Sequence, residues 1–375
     1  MPARRNIAAP RPMIELSDTL RDLLRPEVAT LSAYHVPDSR GYIKLDAMEN
    51  PYPWPPQAVE QWLEKLREVQ PNRYPDPACL NLKAGLKRAN QVPEEAELLL
   101  GNGSDEIIQI LLMALKPGSV VLAPEPTFVM YRQISRSLAL PFVGIPLRED
   151  DFSLDADALL EAIRTYNPAI VFLAYPNNPT GNLFDAQAVD RIVAAASGLV
   201  VIDEAYAPYT SASYMGQVGR HDNLLVMRTL SKLGLAGLRL GFMAGPALWI
   251  REFDKLRLPY NINVLTQYSA AFALEHEAIF AEQVRAIVRD RALLQQALAS
   301  LGCLRVYASE ANFILIRLLR HDANSVFEQL KAVGILIKNL HAQGGPLSQC
   351  LRVTVGTPDE NRQFLEAFTR ILNGE

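Results

Sequence analysis

From about residue 80 onward, short apolar runs alternate with helical stretches, and each run breaks off into a loop of small and polar residues. The runs fall within 98–106, 119–128, 169–181, 198–206 and 224–227. Each is too short for a buried helix and is bounded by Gly, Pro, Asn or Asp, which fits a strand buried on both faces. Strand–helix–strand repetition implies an α/β fold, a mainly parallel sheet with helices on both faces. In such a sheet the loops leaving the carboxyl ends of the strands converge on one edge, where ligands bind. The residues of those loops therefore carry the functional reading.

A chain of 375 residues exceeds a single ordinary core, so a large and a small domain are expected. Three segments suggest themselves: an arm over 1–48, a large domain over 49–258 and a small domain over 259–375. The arm carries a short amphipathic helix around Leu16–Leu24. A loop with prolines at 51, 53, 55 and 56 follows it, in which neither helix nor central strand can run. The pattern changes after 240–245. Residues 258–267 read as a hinge, and a long helical stretch from Tyr268 to about Leu301 leads into strands at 312–318, 335–338 and 351–355. A helix near 325–333 and a terminal helix from Pro358 complete a small antiparallel or mixed sheet unit.

Net charge is −4 and the basic residues form no long runs, which argues against nucleic acid or an anionic membrane and for small-molecule partners. No apolar run reaches the length of a membrane span. Cys79, Cys303 and Cys350 are odd in number and far apart, as in a reducing compartment, and the histidines show no metal-ligand spacing. No metal is expected. The N-terminus carries Arg4, Arg5 and Arg11 without the apolar core of a secretory signal; a transit peptide is the weaker alternative and the cytoplasm is the expected location.

Among the loop residues, Lys232 lies just past the run 224–227, between Thr229, Ser231 and Arg239. An amine beside hydroxyls and a guanidinium suits a phosphorylated carbonyl compound such as pyridoxal phosphate, the amine forming a Schiff base. A solvated surface loop is the plain alternative for the Ser-Lys pair alone. Asp203 follows Val200–Ile202 directly; a carboxylate there is costly unless paired, so it marks a buried cation, or else it is a cap or loop acid. Ser104 can cap the helix that follows it, turning free N–H groups toward an anion. Phe128, at a strand exit, serves either core packing or stacking on a planar heterocycle. Tyr74 sits in a proline-framed loop that either seals a domain edge or acts in function.

Taken in order, the motifs GNGSDE, NNPTG, DEAY and TLSK…GLRLG resemble those of the fold type I pyridoxal phosphate aminotransferases across nearly the whole chain. KLDAMENPY, NRYP, LPYNINVLTQ, ANFILIR and LRVTVGTPDEN look like the histidinol-phosphate aminotransferase family in particular. The resemblance implies that Lys232 holds the cofactor and shuttles a proton. It implies that Asp203 pairs with the pyridine nitrogen, and that Asn178 and Tyr206 donate to the phenolic oxygen. Phe128 then takes the ring-stacking place, where relatives often have tyrosine. The Ser104 and Asp105 amides, with Thr229, Ser231 and Arg239, hold the phosphate, and Tyr74 reaches it from a neighbouring subunit of a homodimer. Arg352, Tyr34 and Lys338 fall to the substrate, whose phosphate or carboxylate an arginine can fork equally well.

The activity implied is transfer of the amino group of L-histidinol phosphate to 2-oxoglutarate, giving imidazole acetol phosphate and glutamate, in histidine biosynthesis. An aromatic amino acid aminotransferase or a phosphothreonine-type decarboxylase are the alternatives on the same fold, and a non-enzymatic cofactor-binding regulator is a third. Three departures from the family pattern stand out. Arg239 follows Lys232 by one residue fewer than expected, which demands a tighter turn. Lys338 stands where relatives often carry arginine, and Met48 where they often carry asparagine.

Overall fold

The computed structural model describes residues 22–33 and 37–374. Most of the helix expected around Leu16–Leu24, and all of Tyr34, lie outside the described residues. The strands are β1 (Ile43–Leu45), β2 (Ala96–Gly101), β3 (Val121–Glu125), β4 (Phe142–Pro146), β5 (Ile170–Ala174) and β6 (Leu199–Asp203). They continue with β7 (Leu224–Thr229), β8 (Gly241–Pro246), β9 (Leu304–Val306), β10 (Phe313–Leu318), β11 (Ile335–Asn339) and β12 (Cys350–Thr354).

Seven strands form the large sheet in the order β2-β8-β7-β6-β5-β3-β4. All run parallel except β8, which pairs antiparallel with β2 and β7. The central strands are apolar throughout because alternate residues feed two separate cores. Val171, Leu173, Val200, Ile202 and Val226 pack with Leu159, Ile163, Val189 and Ile192 of the helices Ala156–Tyr166 and Ala186–Ala195. Phe172, Val201, Leu225 and Met227 face the other way, onto Ile107, Leu111 and Tyr131 of the helices Ser104–Met113 and Val129–Ser137. A strand buried on both faces has no polar side to show, which is why these runs are continuous and not alternating.

The second sheet has the order β1-β11-β12-β10-β9. It is mixed: β1 lies parallel to β11 while the other pairs are antiparallel. Residues 43–45, expected in an arm, thus extend the small sheet at its edge. Phe313, Ile314, Leu351 and Val353 pack against Ile287 and Leu294 of the helix Glu277–Ser300 and against Phe364 and Phe368 of the terminal helix Pro358–Asn373. That terminal helix begins in a capping box, in which Thr357 and Glu360 each bond the other's backbone N–H.

Two expectations need correction. The stretch 268–301 is not one helix: the chain breaks at His276 (φ −116°, ψ 34°) between Val264–Glu275 and Glu277–Ser300. Ser104 does not cap its helix; it is the first helical residue, Gly103 holds the cap position at φ 85°, and no side chain caps the end. The strand β8 was also not legible as one, because Gly241–Pro246 reads as a change of character and not as an element.

Candidate active site

The strand order decides what meets at the carboxyl edge. Parallel strands β2, β3, β5, β6 and β7 deliver, at or just past their ends, Ser104, Phe128, Asn178, Asp203 and Lys232 in turn. The reversed β8 begins at that same edge, so Arg239 arrives from its start. One cleft is lined by Met48, Ser104, Asp105, Phe128, Ala174, Pro176, Asn178, Asp203, Ala205, Tyr206, Thr229, Ser231, Lys232 and Arg239. It gathers ten of the candidate site residues read from the sequence.

Asp203, the last residue of β6, is buried at the cleft. The hydroxyl of Tyr131 donates to its Oδ2 at 2.5 Å and the Ala205 N–H to its Oδ1 at 3.1 Å. Burial pushes its carboxyl up to about 6, although both donors pull the other way. Among the described residues no cation pairs with it. The next residue, Glu204, points through the opposite face of the strand to Arg228, Ser213 and the Tyr214 N–H, so strand alternation separates a structural carboxylate from one exposed to the cleft.

Tyr131 had no sequence signal beyond its place in an apolar-periodic helix. It is fully buried, stacked on Phe172 at 4.5 Å between ring centroids and set edge-on to Phe128 at 5.6 Å. Burial and the neighbouring Asp203 carboxylate raise its phenol well above the ordinary value, so it stays a donor.

Lys232 sits across the cleft in one wide helical turn, Ser231–Leu235, which is interrupted at Gly234 (φ 126°). A single 3₁₀ turn, Ala236–Leu238, follows, and Arg239 takes the left-handed conformation at φ 51°. The lysine Nζ donates to the Ala47 carbonyl at 3.2 Å and lies 6.0 Å from the centroid of the Tyr206 ring. Burial, then the positive charges of Arg352 and Arg239, lower its ammonium to about 8. The loop 49–52 braces the turn from behind: Asn50 donates to the Leu233 carbonyl at 2.9 Å and to Gln283 at 2.8 Å.

Beside the lysine, the Thr229 and Ser231 hydroxyls lie 2.9 Å apart, and Arg239 Nη1 reaches Ser231 at 3.4 Å. Two glycines are called for here, Gly241 by backbone crowding and Gly103 by its positive φ of 85°. A Cβ on Gly241 would stand 2.7 Å from the Ser104 N, and one on Gly103 would stand 2.6 Å from Arg239 Nη2. Arg239 Nη2 is also 3.6 Å from Asp105 Oδ2. Burial raises the Asp105 carboxyl while Arg239 and Lys232 oppose the rise, and its buried Oδ1 has no hydrogen-bond partner among the described residues. An uncapped helix start, two hydroxyls and a guanidinium make an anion cradle.

At the other end, Tyr206 accepts from Asn178 Nδ2 at 3.1 Å and donates to the Met48 sulfur at 3.2 Å. Burial raises its phenol far above the ordinary range. Arg352, on β12, is buried with its guanidinium bonded to the Asn178 side-chain oxygen and, at 3.0 Å, to the Asp46 carbonyl, and it lies 5.2 Å from the centroid of the Phe313 ring. Lys338 is its cross-strand neighbour on β11, half-buried and lowered by burial and by Arg352. Neither lines the cleft wall itself; both stand on the small sheet behind Asn178. Tyr74 is elsewhere: 80% exposed, stacked on Tyr260 at 4.3 Å, and not part of this chain's cleft. Met48 was noted in the sequence only as a departure, yet it lines the cleft at φ 55°.

Fold and cleft together are those of an aminotransferase. A family model for aminotransferase class I and II matches residues 40–368, and the chain belongs to that family. It is 56% identical over 352 residues to Histidinol-phosphate aminotransferase 2 of Nitrosococcus oceani, covering 94% of this chain and 98% of that protein. To Histidinol-phosphate aminotransferase 2 of Cupriavidus pinatubonensis it is 51% identical, covering 93% and 96%. The crystal structure of histidinol-phosphate aminotransferase from Sinorhizobium meliloti in complex with pyridoxal-5'-phosphate shares the fold, with a TM-score of 0.82 and 23% identity over 94% of this chain and 98% of that one.

Proposed function

We propose that the chain is a pyridoxal-phosphate-dependent transaminase that moves the amino group of L-histidinol phosphate to 2-oxoglutarate, giving imidazole acetol phosphate and glutamate in histidine biosynthesis. One observation carries the reading. A buried carboxylate with no cation of its own, Asp203, and an amine depressed to about 8, Lys232, are opposite poles of one cleft. Relatives that align over almost the whole chain are named for that reaction.

The residues fit the cofactor. Asp203 calls for a cation in a desolvated place, which a protonated pyridine nitrogen supplies. The cradle of the Ser104 and Asp105 backbone amides at the uncapped helix start, with Thr229, Ser231 and Arg239, suits its phosphate. Phe128 faces the space as a flat wall, and Asn178 with Tyr206 offers polar groups to the ring's oxygen. When bound, pyridoxal phosphate supplies an aldehyde for amines and a cationic ring that accepts an electron pair from the substrate carbon.

The chain's own groups then divide the work. The Lys232 amine, depressed by burial, is neutral often enough near neutral pH to take up a proton and return it. The Ala47 carbonyl holds that amine while Tyr206 flanks it. Asp203 keeps a negative charge in place because Tyr131 and the Ala205 N–H both donate to it. Arg352, held by Asn178 and the Asp46 carbonyl, binds the substrate's phosphate or carboxylate together with Lys338. Phe128 and Met48 exclude water from the middle of the cleft.

We also read the chain as a homodimer in which Tyr74 serves the partner's phosphate cradle. Tyr74, Leu80, Leu258, Tyr260 and Leu265 are all exposed large apolar residues, in two loops and the first turns of the helices that follow them, joined by the Gln267–Asp76 bond. Such a patch on a protein surface asks to be covered. The three free cysteines favour the cytoplasm, and among the described residues no helix is long and apolar enough to cross a membrane.

The test is a comparison of kcat/KM for histidinol phosphate, phenylalanine and phosphothreonine, with the visible spectrum of the purified protein followed on adding each. Preference for histidinol phosphate with glutamate formed from 2-oxoglutarate is expected. Preference for phenylalanine, or carbon dioxide release from phosphothreonine, would replace this reading with the aromatic transaminase or the decarboxylase.

A further inference from the structure

Met48 is held in a conformation that suits a methionine poorly. Its φ of 55° lies in the left-handed region, which glycine and asparagine enter far more readily than a long side chain does. Thr354, at the end of β12, and Asn312, just before β10, fix it there: the Met48 N–H donates to Thr354 Oγ1 at 3.0 Å, and its carbonyl accepts from Asn312 Nδ2 at 3.0 Å. One residue earlier, the Ala47 carbonyl accepts from the Lys232 amine. Met48 thus carries its side chain into the cleft wall at a conformational cost, and strain kept at such a place asks for a use of the side chain.

What that side chain meets is Tyr206. The Tyr206 oxygen accepts from Asn178 Nδ2 at 3.1 Å, so its own hydrogen faces elsewhere, and it goes to the Met48 sulfur at 3.2 Å. Burial keeps the phenol protonated far above neutral pH, so the hydrogen is always there to give. The rest of the Met48 side chain packs on the core that holds Tyr206 and Phe313, which fixes the sulfur in place. A thioether is a weak acceptor. An amide oxygen at the same point would hold the hydrogen more firmly, and Tyr206 has only one to give.

We propose that Met48 is a positioning residue that acts through Tyr206: its sulfur keeps the hydroxyl aimed into the cleft as an acceptor too soft to retain the hydrogen, which passes to the cofactor's phenolic oxygen. This rests on the cofactor reading above, in which Tyr206 serves that oxygen. A hydrogen bond to the phenolic oxygen favours its charged form, so with Tyr206 donating the bound cofactor gives up its proton at a lower pH than without it. A firm acceptor at position 48 withdraws that help.

The test uses the holoenzyme without substrate and reads the pH midpoint at which the absorption of the bound cofactor changes. Tyr206→Phe removes the donor outright and should raise the midpoint by about one pH unit, as for loss of a hydrogen bond to a charged group. Met48→Gln matches methionine in length and adds no charge; its amide oxygen should raise the midpoint by about half a unit, part of that same loss. Met48→Leu, which packs without offering an acceptor, should stay at the wild-type midpoint. In the Tyr206→Phe background Met48→Gln should add nothing, because no hydrogen is left to compete for. If Tyr206→Phe moves the midpoint but Met48→Gln does not, the inference alone is overturned. The same holds if Met48→Leu shifts it as far as Met48→Gln, or if the Met48→Gln shift survives undiminished beside Tyr206→Phe; either marks a packing role. A midpoint unmoved by Tyr206→Phe sinks the role of Tyr206 and this inference with it.

Discussion

Replacing Lys232 with methionine should make the cofactor-free protein more stable at neutral pH, although it destroys the reaction. The lysine's ammonium falls from an ordinary 10.5 to about 8 in the folded chain, through burial first and the neighbouring arginines second. At 1.36 kcal/mol per pH unit this depression costs about 3 kcal/mol of stability once the amine is charged in both states. The sign follows from proton counts. Between about 8 and 10.5 the unfolded chain binds the proton and the folded chain does not, so wild-type stability rises with pH across that window; below 8 both are charged and the full cost is felt. Methionine fills nearly the same space without charge, at the loss of the bond to the Ala47 carbonyl, worth about 1 kcal/mol. The variant should therefore exceed wild type by about 2 kcal/mol at pH 7, from those two magnitudes. That advantage should vanish by pH 10. Urea unfolding of both cofactor-free proteins at equal concentration, with matching m-values, measures it. A difference that does not change with pH, or a wild type more stable at pH 7, would refute the desolvated-amine account.

Three further outcomes are expected. Asp203→Asn keeps the hydrogen-bonding shape but removes the charge; the fold should survive while kcat falls by about 10²-fold or more, as for loss of a preorganised electrostatic partner, and a variant with near wild-type kcat would end the assignment. Tyr131→Phe deletes a hydrogen bond to a buried carboxylate, worth about 1.5–3 kcal/mol. The Asp203 carboxyl should then rise further, so the acid limb of the kcat/KM profile should move about one pH unit upward; an unmoved limb argues that Asp203 does not govern it. Gly103→Ala places a Cβ against Arg239 at φ 85°, so cofactor retention on dialysis should drop about tenfold, consistent with about 1–2 kcal/mol of strain and displacement; retention equal to wild type would remove Arg239 from the cradle.

The chain by itself determined whatever depends on neighbours in sequence. Continuous apolar runs between helical stretches announced a sheet buried on both faces, and a lysine between hydroxyls and a carboxylate straight after Val-Val-Ile announced residues that line one cleft. Strand order and register depend on distant segments, and these decided the rest. Tyr131 reads as one more apolar helical position until its helix is laid over β6, where the hydroxyl meets Asp203. Gly241–Pro246 gives no sign that it runs backwards, yet that reversal is what brings Arg239 to the lysine's edge of the sheet. Leu45 and Ile337 lie nearly three hundred residues apart and become neighbours only because β1 crosses to the small sheet. Periodicity reports which face of an element is buried, but not which other element buries it; that choice is made by the packing of the whole chain.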